Sequence, residues 1–171
     1  MFKDSGRGKK RTLRNSFADA FRGIWGCVRS ERNMRIHLTL CCYVLFFGFR
    51  MGLSRGELAC LVLTIGVVMG AEAMNTSVEK LCDFTEKHWN PRIRVIKDIA
   101  AGAVLLCALA AVLVGGVLFL RPALWQTVLE ICSAPLSLCL FFLSAVLAWS
   151  FIFIGPTKIK ESLFSKKKGR R

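Results

Sequence analysis

Four apolar runs, at residues 36–53, 58–78, 99–120 and 136–154, leave this chain few ways to fold. Each is close to the ~20 residues with which an α-helix crosses a bilayer, although Arg50 shortens the first. We expect an all-α integral membrane protein with four spanning helices in one bundle. The chain carries a net charge of +14, which in a soluble domain would suggest nucleic acid. Here the cations mark topology instead. All but Arg50, Arg55 and Arg121 of the 25 Lys and Arg residues precede the first run, separate the second from the third, or follow the fourth. By the positive-inside rule both termini and the middle loop are cytoplasmic, as in a multi-pass protein of a bacterial inner membrane, and no nucleic-acid partner is expected.

In chain order, residues 1–15 are basic and without periodicity, a disordered tail. Ser16 is a candidate N-cap. From there Phe17, Phe21, Ile24, Trp25 and Val28 recur at helical spacing among arginines, the pattern of an amphipathic helix lying in the interface. Glu31 follows, almost alone among the arginines of that region. Its role is ion pairing or the binding of metal or phosphate. Ser54 to Glu57 reads as a short turn, so the first two spans are antiparallel neighbours. Pro91 blocks a continuous helix through the loop at residues 80–97. After Lys97 and Asp98, the small residues Ala100, Ala101, Gly102 and Ala103 invite a close helix neighbour. Arg121 ends the third span, residues up to Pro135 suit a short interfacial helix, and the fourth span has no charged residue. The eight cysteines form no C-x-x-C pair and only two histidines are present, which argues against a zinc site. They read as small buried hydrophobes.

One of the spans is not purely apolar. Within and just beyond the second run stand Glu72, Asn75, Glu79 and Asp83, which at ~100° per residue share a stripe roughly 80° wide. Glu72 lies at membrane depth, roughly 10 Å below Glu79 along the helix. A carboxylate there is costly unless paired, hydrated or protonated, so the stripe is a candidate site. Together with Glu31, Lys97 and Asp98 it gathers acids and a cation at the cytoplasmic interface. That set suits Mg²⁺, which takes one or two carboxylates plus substrate phosphates, and phosphoryl transfer, which needs a metal, a cation and a base. Glu31 and Glu79 could hold the metal and Lys97 the phosphates. Glu72, partly desolvated, is placed to accept a proton from a hydroxyl presented by a lipid. No P-loop or G-x-G-x-x-G motif occurs, which excludes those phosphate-binding folds. Ion pairing between helices is the alternative reading of the same acids.

Two motifs make the pattern recognisable. Glu72-Ala-Met-Asn75-Thr-Ser-Val-Glu79 and Lys97-Asp98-Ile-Ala-Ala-Gly-Ala-Val104 resemble the signature of the prokaryotic diacylglycerol kinase family. Glu31-Arg-Asn-Met-Arg-Ile-His37, following Ser16-Phe17, resembles the version found in Gram-positive members, many of them undecaprenol kinases. The resemblance implies a small membrane lipid kinase using ATP and Mg²⁺, a homotrimer with active sites shared between protomers. It assigns Glu72 as catalytic base with Asn75 as its polar neighbour. Glu31 and Glu79 become metal ligands and, with Lys97 and Asp98, nucleotide contacts, and Asp83 a supporting acid. It also divides the chain into a tail (1–15), a kinase domain of surface helix and three spans (16–120), an added segment with the fourth span (121–157) and a basic cytoplasmic tail (158–171). In the loop, His88-Trp89-Asn90-Pro91 departs from the Glu-Tyr-His-Pro of many members. The competing reading is a small transporter that uses Glu72 to couple protons or cations. Span two, however, offers only Thr64 toward the far face, where such a route must continue.

Overall fold

Thr12 opens the first helix, its Oγ1 accepting from the Asn15 amide at 3.4 Å. The computed structural model describes the backbone of residues 12–168 and the side chains of residues 12–156. The ends of both expected tails, residues 1–11 and 169–171, lie outside the described residues. The helix therefore starts three residues before the expected Ser16 cap, since threonine serves that position nearly as well.

Six helices make up the described residues: α1 Leu13–Ser30, α2 Arg32–Arg50, α3 Arg55–Thr85, α4 Pro91–Phe119, α5 Pro122–Ser133 and α6 Pro135–Lys168. Along α1, Phe17, Phe21, Ile24 and Trp25 are exposed on one side while Cys27 and Val28 are buried. That is the division expected of a helix with an apolar face turned to lipid. Glu31 alone separates α1 from α2. Its extended backbone (φ −104°, ψ 125°) breaks the helix, and its amide still closes α1 on the Cys27 carbonyl at 2.8 Å.

The turn between α2 and α3 lies at residues 51–54, because Arg55 to Glu57 already form the first turn of α3. Gly52 takes φ +68°, and the Leu53 and Gly52 amides close on the carbonyls of Gly48 (3.1 Å) and Phe49 (3.2 Å). This is the paired 6→1 and 5→2 bonding that ends helices at a left-handed residue, where glycine carries no Cβ penalty. Ser54 and Glu57 then cap α3 reciprocally. The loop between α3 and α4 shrinks to residues 86–90. Pro91 stops α3 from continuing but is itself the first residue of α4, with Asn90 Oδ1 accepting from the Arg92 amide at 2.9 Å. Helix α5, short as expected, buries Thr127 and Ile131.

Four spans were expected, but among the described residues three helices are long and apolar enough to cross a membrane: α3, α4 and the stretch Pro135–Pro156 of α6. Helix α2 has 19 residues, but Arg32, Arg35 and Arg50 confine its uncharged stretch. The helices pack as α4 on α3, α3 on α2 and α2 on α6, with α5 against α6 and α2. At the opposite end from the loop of α3 and α4, Arg121 pairs with Glu57, and Arg50 Nη2 donates to Glu130 Oε2 at 2.7 Å. Those two arginines of the sparsely basic face are thus tied to acids.

Helix α1 crosses the other end against α2, α3 and α6. There Cys27, Val28 and Met34 are buried, with Leu38, Met69, Ala73 and Phe151 packed on them. One expectation fails in this arrangement. Only Cys27 and Cys82 of the eight free cysteines are buried, while Cys42, Cys60, Cys132 and Cys139 are exposed. A row of helices leaves most helix surface outward, and a thiol is apolar enough to lie there. The close neighbour expected for α4 is α3, although a Cβ on Gly102 itself would touch nothing within 4 Å, so that side of α4 is open in a single chain.

Candidate active site

Helix α3 carries the site because its polar residues recur at helical spacing and so share the face turned toward α1 and α2. Glu72 is 2% exposed, and Asn75 and Thr76 are also buried. Glu79, a turn further on, is half-buried, and Asp83 is exposed. Asn75 Nδ2 donates to Glu79 Oε1 at 3.0 Å, which fixes that carboxylate against the helix. Glu72 Oε2, Asn75 Oδ1 and Thr76 Oγ1 are buried and make no hydrogen bond within the described residues. A buried polar atom without a partner costs about 1–3 kcal/mol. Three of them within five residues mark a place built to meet something polar.

The elbow between α1 and α2 brings Glu31 to the same place. Glu79 first, then Glu31, are the neighbouring charges that act on Glu72. Three carboxylates from two parts of the chain thus converge, a gathering that calls for a cation. Among the described residues no three His, Cys, Asp or Glu side chains form a ready-made metal cage. The donors present fit Mg²⁺, which prefers hard oxygen ligands and fills most of its shell with water and phosphate oxygens. Glu31 and Glu79 are the two that stand at the water-facing end.

Lys97 reaches across from α4 to Asp83 and also lies within electrostatic reach of Glu79. Asp83 therefore holds the lysine beside the stripe. Asp98 does not join them. It is exposed, about 100° further round α4, and pairs with Arg94 at 3.8 Å. The structure brings together Glu31, Glu72, Asn75, Glu79, Asp83 and Lys97, and leaves Asp98 apart within one chain. Lys80, in addition, donates from Nζ to Ser30 Oγ at 3.1 Å and ties α3 to the end of α1.

Thr76 was not singled out from sequence, although its position four residues after Glu72 puts it on the same face. Its hydroxyl carries no charge, so nothing marked it apart from an ordinary small polar residue. In the loop, His88 and Trp89 are exposed, and the His88 amide donates to Glu86 Oε1 at 3.0 Å.

Comparison with known proteins places the chain among its relatives. The family model for prokaryotic diacylglycerol kinase matches residues 18–119, which hold every residue of the cluster. The undecaprenol kinase of Bacillus subtilis is 41% identical over 106 residues, covering 61% of this chain and 85% of that protein. The diacylglycerol kinase of Synechocystis is 39% identical over 110 residues, 64% of this chain and 63% of that protein. No solved structure matches. With a family model matching residues 18–119, more than half its length, the chain belongs to the prokaryotic diacylglycerol kinase family.

Proposed function

We propose that this chain is an integral-membrane lipid kinase that transfers the γ-phosphoryl group of ATP, with Mg²⁺, to the hydroxyl of undecaprenol at the cytoplasmic face of a bacterial membrane. The observation that carries this reading is Glu72, buried in α3 at membrane depth and flanked by Glu79 and Glu31. A lipid hydroxyl and a nucleotide can meet only at such a boundary. Glu72 takes the hydroxyl proton on Oε2 as the lipid oxygen attacks the γ-phosphorus. The bond to the bridging oxygen breaks, giving a lipid phosphate and ADP. Asn75 orients Glu79, and Glu31 and Glu79 would hold Mg²⁺, which would supply neutralisation of the phosphate oxygens. Lys97, steadied by Asp83, contacts the phosphates. Asp98 serves them from a neighbouring copy in a homotrimer, in keeping with its exposed position and the open face around Gly102.

Residues 16–120 form the kinase domain, and 121–157 add a segment that returns the chain to the basic face. A transporter reading loses ground here. Thr64, the one polar residue the span offers toward the far face, donates from Oγ1 to the Cys60 carbonyl of its own helix at 2.8 Å.

The test is transfer of label from γ-labelled ATP to undecaprenol and to diacylglycerol in mixed micelles of the purified chain, with and without Mg²⁺. We expect Mg²⁺-dependent labelling of undecaprenol in preference to diacylglycerol. Labelling of neither alcohol overturns the reading, and preference for diacylglycerol overturns the acceptor. In the same assay Thr76→Val keeps or raises the unfolding temperature, because an isosteric methyl replaces an unpartnered hydroxyl. Its turnover falls about five- to tenfold, the worth of one hydrogen bond. Unchanged turnover would leave Thr76 a packing residue.

A further inference from the structure

Arg35 is a cation on the first turns of α2. It is buried, and no carboxylate among the described residues pairs with it. A buried guanidinium left unpaired is strongly unfavourable, so its donors should be sought on other groups. They go to three backbone carbonyls. Nη1 donates to Val28 at 3.1 Å and to Arg29 at 3.3 Å, and Nε donates to Ile152 at 3.0 Å.

Each acceptor is open for a stated reason. Val28 and Arg29 lie in the last turn of α1, whose carbonyls have no partner within the helix. Their end of the helix also carries partial negative charge. Ile152 lies four residues before Pro156, which has no amide to offer it. Just there α6 breaks, with Gly155 at φ +72°. A Cβ on Gly155 would sit 3.5 Å from the guanidinium carbon. That is ordinary contact, so it is the positive φ, and not a lack of room, that calls for glycine here.

Two more contacts run along the same seam. Arg32 lies over the Phe153 ring at 5.8 Å, and Phe151 packs on the buried group formed by Cys27, Val28 and Met34. Arg35 joins the end of α1 to the start of α2, and between them stands only Glu31. Its third bond fastens both to α6. Helix α6 lies outside residues 18–119 that match the family model.

We propose that the break in α6 and Arg35 together form a clamp that fixes the α1–α2 elbow, so that the added helix sets the position of Glu31 in the site. Arg35 is a positioning residue, acting through Glu31 rather than on substrate. This rests on the metal role proposed for Glu31, and the experiment separates the two.

The test uses the full chain in micelles with two readouts. Hydrogen–deuterium exchange over residues 26–36 reads the clamp without reference to catalysis. Arg35→Ala, and separately Gly155→Ala with Pro156→Ala, should accelerate exchange there. The second variant leaves Arg35 in place but gives Ile152 a helical amide partner. Kinetics then read the consequence. Both variants should raise the KM for MgATP about tenfold or more, the usual cost of losing a group that orients a metal ligand, with the KM for the lipid unchanged. In a double-mutant cycle, Arg35→Ala should add nothing further to Glu31→Gln. Unchanged exchange in both variants overturns the clamp. Faster exchange with additive effects in the cycle, or equal rises in both KM values, overturns its action through Glu31. Wild-type protein that labels no lipid defeats the kinase reading instead, and the exchange result stands or falls apart from it.

Discussion

Glu72→Gln lowers turnover by about a hundredfold to ten-thousandfold, the range a positioned general base supplies. The protein remains folded. Glutamine keeps the shape of the side chain, and the lost charge had Glu79 and Glu31 as its neighbours. Removing one of three clustered negative charges relieves repulsion, so the variant's unfolding temperature in detergent is equal to wild type or higher. The KM values for lipid and for MgATP change little, because the lost interaction belongs to the transition state. Glu72 therefore differs from an ordinary buried residue, whose replacement lowers stability and activity together. Wild-type turnover in Glu72→Gln, or inactivity that tracks a lower unfolding temperature, would remove it from the chemistry.

The second large effect falls on the metal. Glu31→Gln and Glu79→Gln each raise the Mg²⁺ concentration needed for half-maximal activity by about ten- to hundredfold. That follows from a contact to a charged group worth about 1.5–3 kcal/mol. Activity returns as Mg²⁺ is raised, which Glu72→Gln does not allow. Of the two, Glu79→Gln has a second consequence, since its Oε1 is the acceptor for Asn75. Titrating Mg²⁺ at saturating ATP distinguishes the cases. If excess Mg²⁺ restores neither variant, the two acids do not hold the ion.

The polar stripe was legible because a helix repeats every 3.6 residues and α3 runs unbroken through the whole motif. Four residues written across twelve positions fall on one face whatever the tertiary structure does. Lys97 was legible as a cation opening the next span at the same interface, and its partner Asp83 was already among the acids. Asp98 lies apart from Lys97 within one chain and pairs with Arg94. Neighbours in sequence are not neighbours on a helix surface, and a family motif that names both residues says nothing about which chain each one serves.

Arg35 escaped notice because arginines near the first span were read together as an orientation signal, and that signal does not distinguish a solvated side chain from a buried one. Its acceptors are backbone atoms, left open by a helix end and a proline more than a hundred residues apart, and no side-chain pattern records them. The cysteines were misread for a different reason. Burial was inferred from their apolar surroundings, but in a membrane the apolar surroundings include the outside.

The length of α3 has a further consequence. Its first turn is capped by Ser54 and Glu57 and moored to Arg121, at the far side from the site. Counting from Arg55 at ~1.5 Å per residue, Glu72 stands about 26 Å along the helix and Glu79 about 36 Å, against a hydrocarbon layer of ~30 Å. The helix works as a gauge rod that plants one carboxylate just short of the opposite water line and the other just past it. A thicker or thinner bilayer would therefore slide the water line along the rod, and with it the level at which an alcohol floating in the leaflet finds its base.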